Sequence, residues 1–233
     1  MIRAPGEAKS ARPRTATIQR GSIRLAAVLM LPPGQRPYPC VIFVHGLGSR
    51  KDSPRNVVVA TRLVDSGMAA LLFDLSGHGE SDGDTLPGQE PYVEDLAAAF
   101  CWAVREPEID SERIGVAGSS LGGVVALSAI RRLLIRPAAL VLRAPPIEPG
   151  DLDEIAVPVL VVIGTQDPLI AQVRMAAAWT RWATLSVVDG AGHLFEEPGT
   201  LEQAVERTVS WFGRYLMLEG STTEAKDRGG LEG

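Results

Sequence analysis

Six short apolar runs punctuate the chain after Cys40: Val41 to Val44, Ala69 to Phe73, Ile114 to Ala117, Ala139 to Leu142, Val159 to Ile163 and Leu185 to Val188. Longer stretches of helical period separate them. Strands that are apolar on both faces belong to a parallel sheet covered by helices on either side, because each parallel crossover needs a helix-length connection. Upstream, Thr15 to Arg20 and Ser22 to Leu31 are strand-like runs on either side of Gly21, a hairpin signal that Pro32-Pro33-Gly34 closes. The expected fold is α/β, with a mostly parallel sheet of about eight strands. It carries an N-terminal antiparallel hairpin and helices on both faces.

Helix starts follow the same pattern. Ser53 before Pro54 is an N-cap with proline at the first helical position. Thr200 with Gln203 is a capping box opening a run to about Leu218. Other helices are expected to begin near Pro91, Ser120 and Pro168.

A chain of 233 residues lies within the roughly 200–250 that a single α/β domain can reach. The organisation expected is a flexible basic arm over 1–14, one domain over 15–218 and a flexible polar tail over 219–233. With 45% hydrophobic and 22% charged residues the chain can build a core. The net charge of -5 excludes the clustered cationic surplus that nucleic-acid binding needs. No uninterrupted apolar stretch approaches the roughly 20 residues of a membrane-spanning helix. Pro5, Gly6 and Pro13 interrupt the basic N-terminal residues, and no apolar region of a secretory signal follows them, so the cytoplasm is the expected location. Cys40 and Cys101 form neither a disulfide framework nor a metal cluster, and both are expected to be buried free thiols.

Gly118-Ser119-Ser120-Leu121-Gly122 matches the Gly-x-Ser-x-Gly nucleophile elbow. It lies directly between a strand-like run and a helical one, the context that motif requires. Alone, the pentapeptide also reads as a small-residue turn. Ser120 is its central residue, and the Leu121 N–H stands at the start of the following helix, where an oxyanion could be held. Since a serine hydroxyl needs a base and an orienting group, the three histidines narrow the search. His193, in Gly190-Ala191-Gly192-His193, follows the last strand, and Asp167 in Gly164-Thr165-Gln166-Asp167-Pro168 follows the strand before it. Separately, they read as a solvent-facing loop histidine and a helix cap.

Together, Ser120, Asp167 and His193 stand in the chain order of α/β-hydrolases, each beyond the carboxyl end of its own strand. From about Thr15 to Leu218 the chain resembles an α/β-hydrolase, similar to the small dienelactone-hydrolase-like serine esterases. His45-Gly46-Leu47-Gly48-Ser49 matches the family's His-Gly loop, which implies a second oxyanion donor in the Leu47 N–H and a structural His45. Asp74 to Ser81 resembles the family's Gly-x-Gly-x-Ser loop. Many members carry a cap after the strand that here ends near Leu142, but Pro145 to Ala156 is too short for one. Typical dienelactone hydrolases use cysteine where this chain has Ser120, so their lactone substrate is not implied.

The resemblance implies a carboxylic ester hydrolase with a Ser120–Asp167–His193 triad. It would act on small to medium soluble esters, without metal or organic cofactor. A small-molecule ester is the expected partner, with no nucleic acid or membrane, and a homodimer is compatible with the chain. Thioesterase or acylpeptide-type hydrolysis and a catalytically silent binding module remain open alternatives. Arg50, Lys51 and Arg143, near the strand ends, could attract an anionic substrate, but are expected to be solvated surface charges. Glu148 is the nearest acid after the strand ending at Leu142, and Phe195 and Tyr92 belong either to an acyl pocket or to core packing.

Overall fold

The computed structural model of the protein describes residues 12–85, 88–178, 180 and 182–217. Strands β1 (Arg12–Arg20) and β2 (Ile23–Leu31) form the hairpin, closed by Gly21 and Ser22 between the paired Arg20 and Ile23. Then follow β3 (Tyr38–Val44), α1 (Pro54–Asp65), β4 (Ala69–Phe73), α2 (Glu90–Arg105), β5 (Ile109–Ser119) and α3 (Leu121–Arg131). The chain closes with β6 (Ala139–Arg143), β7 (Val159–Gly164), α4 (Ile170–Ala178), β8 (Ala183–Val188) and α5 (Thr200–Leu216).

All eight strands join one sheet in the order β1-β2-β4-β3-β5-β6-β7-β8, antiparallel at β1–β2 and β2–β4 and parallel elsewhere. The period of two is visible inside β3. Cys40, Ile42 and Val44 belong to the core shared with α2, α3 and α4 on one face, while Val41 and Phe43 belong to the core shared with α1 and α5 on the other. Every residue of β3 and β4 is buried, as continuous apolar runs require. Among the described residues no helix lies between β6 and β7, so that connection builds no cap over the carboxyl edge. Among the described residues no helix is long and apolar enough to cross a membrane.

Several boundaries depart from expectation. Arg12 to Arg14 belong to β1, because their backbones continue the ladder against Leu31 to Leu29, so the arm's described end is a strand. The rest of the arm and the tail over 219–233 lie outside the described residues. Thr200 is the first residue of α5 rather than its cap; Gly199 takes that position at φ 76°, and the Thr200 hydroxyl donates back to the Glu197 carbonyl at 2.7 Å. The capping box therefore does not form. Ser53 does hold the N-cap of α1, through its carbonyl, which accepts from the Asn56 and Val57 amides. Cys40 is buried in β3, where desolvation pushes its thiol pKa up, whereas Cys101 is exposed on the outer face of α2.

Helix α5 seats on the sheet through one close fit. Gly115 of β5 lies under the fully buried Phe212 ring, and a Cβ at Gly115 would come within 2.5 Å of that ring. Phe212→Ala is therefore expected to lower the unfolding free energy by about 3–5 kcal/mol. Gly115→Val, which must push the ring aside, should cost about 1–3 kcal/mol. Urea unfolding measures both, and a wild-type midpoint for Gly115→Val would mean that α5 is seated by other contacts.

Candidate active site

Strand β5 runs into α3 with Ser120 between them, at φ 50° and ψ -120°. A non-glycine residue adopts such angles only where its surroundings impose them. Three contacts do so here. The Ser120 N–H donates to the Arg143 carbonyl at the end of β6, at 2.9 Å. A Cβ at Gly122 would lie 2.1 Å from the Val44 carbonyl oxygen, and one at Gly118 would lie 2.5 Å from the Gly122 carbonyl oxygen. Only glycines let these chain segments meet, and their approach lifts the Ser120 side chain clear of the sheet edge.

The loops after β7 and β8 are stitched to each other. The Gln166 N–H donates to the Ala191 carbonyl at 2.9 Å, and the Gly190 N–H donates to the Thr165 hydroxyl at 2.8 Å. That stitching brings Asp167 and His193 together, with Asp167 Oδ2 at 2.9 Å from His193 Nδ1 and His193 Nε2 at 3.2 Å from Ser120 Oγ. Asp167 is closed to solvent while the imidazole is 33% exposed. Its other oxygen, Oδ1, accepts the Leu169 N–H at 2.9 Å, so Asp167 fills its turn-forming role and also reaches the imidazole. A carboxylate accepting at Nδ1 leaves Nε2 free to accept from a serine hydroxyl. Glu197 holds the histidine loop from below: its Oε2 accepts the Gly192 N–H at 3.0 Å. That bond, with its own amide and that of Glu196, lowers the Glu197 pKa.

Glu148 is exposed and turned toward Asp151, whose carboxylate accepts its N–H. Phe195 and Tyr92 are core residues on opposite faces of the sheet. Leu47 is 69% exposed at the rim of the site, in the turn closed by the Ser49 N–H on the Gly46 carbonyl. Among the described residues, the Leu47 and Leu121 amides do not donate to any backbone carbonyl in the turns and loops.

His45 is buried. Its Nε2 accepts the Leu75 N–H at 3.0 Å, which leaves Nδ1 to carry the proton toward the Gly46 carbonyl at 2.8 Å. Desolvation pushes its pKa below the ordinary value, so it is a neutral strut between two loops. Asp74, fully buried, accepts from the Lys51 N–H and Glu80 N–H and pairs with Lys51 Nζ at 2.7 Å. Burial alone would lower the Lys51 pKa, but hydrogen bonds and charge from Asp74 and Glu80 outweigh it and raise it.

Ser120 and His193 open into a cavity of about 180 Å³, walled also by Arg55, Asn56, Ser119 and Arg143. Two of the expected surface charges are corrected here. Lys51 is an internal ion-pair partner, since Asp74 beside it pairs with no other cation among the described residues. Arg143 is a wall of the cavity, half-buried, donating from Nη2 to Asn56 Oδ1 and Ser119 Oγ at 2.6 Å each, because neighbours on α1 and β5 hold its side chain across the strand end. Burial, with the like charge of Arg55, lowers its pKa to about 10. Ser119 therefore also faces the cavity, and neither it nor Asn56 is singled out by any motif. Arg50 fits expectation, exposed and paired only with Asp52. Among the described residues no group of three or more His, Cys, Asp or Glu could hold a metal ion.

Comparison with known proteins places this geometry in a context. The model of the serine aminopeptidase S33 family matches residues 35–153. That match includes Ser120 and ends before Asp167 and His193. A Mycobacterium tuberculosis protein provisionally named a phosphoribosyl transferase is 33% identical over 205 residues, covering 86% of this chain and 46% of that protein. A Bacillus subtilis protein provisionally named an esterase is 35% identical over 111 residues, covering 41% of this chain and 40% of its own length. The chain thus spans about half the length of these curated relatives or less. The crystal structure of dienelactone hydrolase from Anabaena variabilis superposes with a TM-score of 0.75 at 29% identity, covering 88% of this chain and 99% of that one.

The His45 strut carries a pH signature. Because its folded-state pKa lies below the ordinary imidazole value of 6.5, the unfolded chain binds the proton more readily. The stability that His45 contributes is fully present above about pH 6.5 and is lost as pH falls through the folded-state pKa. His45→Gln keeps an acceptor for the Leu75 N–H but takes up no proton. The gap in urea midpoint between wild type and variant should therefore narrow between pH 8 and pH 5, and a constant gap would contradict the neutral strut.

Proposed function

Given that the chain belongs to the serine aminopeptidase S33 family of α/β hydrolases, we propose that it is a carboxylesterase acting through an acyl-enzyme on Ser120. The observation that supports this most is one imidazole spanning Ser120 Oγ and a buried Asp167 carboxylate, on a backbone held in the strained elbow conformation. Ser120 Oγ attacks the ester carbonyl and its proton passes to His193 Nε2. The Leu47 and Leu121 amides, free of backbone acceptors and beside the serine, hold the oxyanion. The imidazolium returns its proton to the departing alcohol. Water then gives a proton to Nε2 as it attacks the acyl carbon, and collapse expels Ser120 Oγ, which takes that proton back. Asp167 keeps the imidazole in the tautomer that accepts at Nε2.

Small to medium soluble esters fit an uncapped cavity of this size. The walls also speak against an aminopeptidase, which must hold a protonated α-amine. Among the described residues they carry Arg55 and Arg143 and no carboxylate. Thioester and amide cleavage use the same chemistry, and a graded panel of esters, thioesters and amides separates them.

Ser120→Ala should abolish ester turnover and labelling by a fluorophosphonate. Asp167→Asn should fold normally and lower kcat by as much as about 10⁴-fold with little change in KM, because the amide favours the other tautomer. Retained turnover in Ser120→Ala would overturn the assignment, and a silent binding module would show neither turnover nor labelling in the wild type.

A further inference from the structure

A guanidinium carries five N–H donors. The two on Nη2 of Arg143 serve Asn56 and Ser119. Those on Nε and Nη1 have no acceptor among the described residues, and neither atom is sealed from solvent. Among the described residues no carboxylate lies within ion-pair reach of Arg143, in contrast to Arg20 with Asp95, Lys51 with Asp74 and Arg55 with Glu196. A half-buried cation without a counter-charge is unfavourable. A second guanidinium, Arg55, adds repulsion from the same cavity wall. Both charges face the space that Ser120 and His193 face.

We propose that Arg143, with Arg55 beside it, forms a carboxylate-binding subsite in this cavity, so that the ester hydrolysed bears a free carboxylate besides the bond that is cleaved. The inference rests on the esterase reading of Ser120 for the reaction, and on Arg143 for its substrate class. Arg55 already has Glu196, so the uncompensated charge at the wall is a single positive one. One carboxylate neutralises it, whereas a phosphate monoester brings close to two negative charges. A cavity of about 180 Å³ suits a short substrate, such as the half-ester of a small dicarboxylic acid or an ester of a small hydroxy acid. Ser119 and Asn56 act as positioning residues that aim the guanidinium.

The test pairs charged and neutral esters on the full chain. Mono-p-nitrophenyl glutarate is compared with p-nitrophenyl valerate, and 3-acetoxybenzoate with phenyl acetate, which places the charge on the acyl or on the alcohol side. In at least one pair kcat/KM should favour the charged ester by about tenfold or more. That ratio should collapse in Arg143→Gln, survive in part in Arg143→Lys, and shrink as salt is raised. Equal rates in both pairs, or a ratio unchanged in Arg143→Gln, would overturn the subsite. Should Arg143→Gln not fold, Arg55→Gln and the salt series on the wild type read the same ratio. A second measurement is independent of turnover: calorimetry on Ser120→Ala should show monomethyl glutarate binding and dimethyl glutarate binding at least about tenfold more weakly. If no ester is hydrolysed but that difference persists, the esterase reading falls and the subsite stands. If neutral esters turn over without charge preference, the reverse holds. Tighter binding of methyl phosphate than of monomethyl glutarate would refute the carboxylate class.

Discussion

At Ser120 the backbone occupies angles that cost a non-glycine residue on the order of 1–3 kcal/mol, and the rest of the site depends on that strain being held. It is held by elements far apart in the chain. The end of β6 accepts the Ser120 N–H, the end of β3 presses on Gly122, and α3 begins at once to fix the far side. Sheet register, rather than any local preference of the pentapeptide, puts the serine hydroxyl in front of His193. One residue, Arg143, serves twice here, its carbonyl steadying the elbow while its guanidinium walls the cavity.

The opposite side of the site is organised in another way. Asp167 and His193 stand on loops that would be free to wander if each were tied only to its own strand. Hydrogen bonds between the two loops, and the turn that Asp167 makes with Leu169, remove that freedom before any substrate arrives. Pre-organisation of this kind lets a carboxylate orient an imidazole without a reorganisation cost at the moment of reaction.

How much of this could be read in the residues alone varied with the kind of signal. Strand β4 lies at Ala69–Phe73, as its apolar run implies, because burial on both faces leaves no other choice. Strand β5 extends back to Ile109, beyond the apolar run Ile114 to Ala117, because Ile109 pairs with Tyr38 across an irregularity at the polar residues Asp110 to Arg113, which periodicity overlooks. Cys101 lies in an apolar run on α2, yet the helical turn places it outward. The fold and the meeting of Ser120, Asp167 and His193 were legible because each follows a recognisable strand. Arg143 was not. A lone arginine at a strand end is ordinarily solvated, and what draws this one inward, Asn56 and Ser119, lies far from it in sequence and carries no pattern.

If the proposed esterase reading holds, the uncovered edge between β6 and β7 also bears on what becomes of an acyl group carried by Ser120. A helical cap would exclude bulk solvent and favour whichever acceptor it admitted. Without one, water reaches the acyl carbon as freely as any alcohol or amine. Partitioning of the intermediate is then set by concentration, and water prevails. On the proposed reading, an uncovered edge therefore favours hydrolysis over acyl transfer, and the same scaffold would need a roof over the site before synthesis could compete.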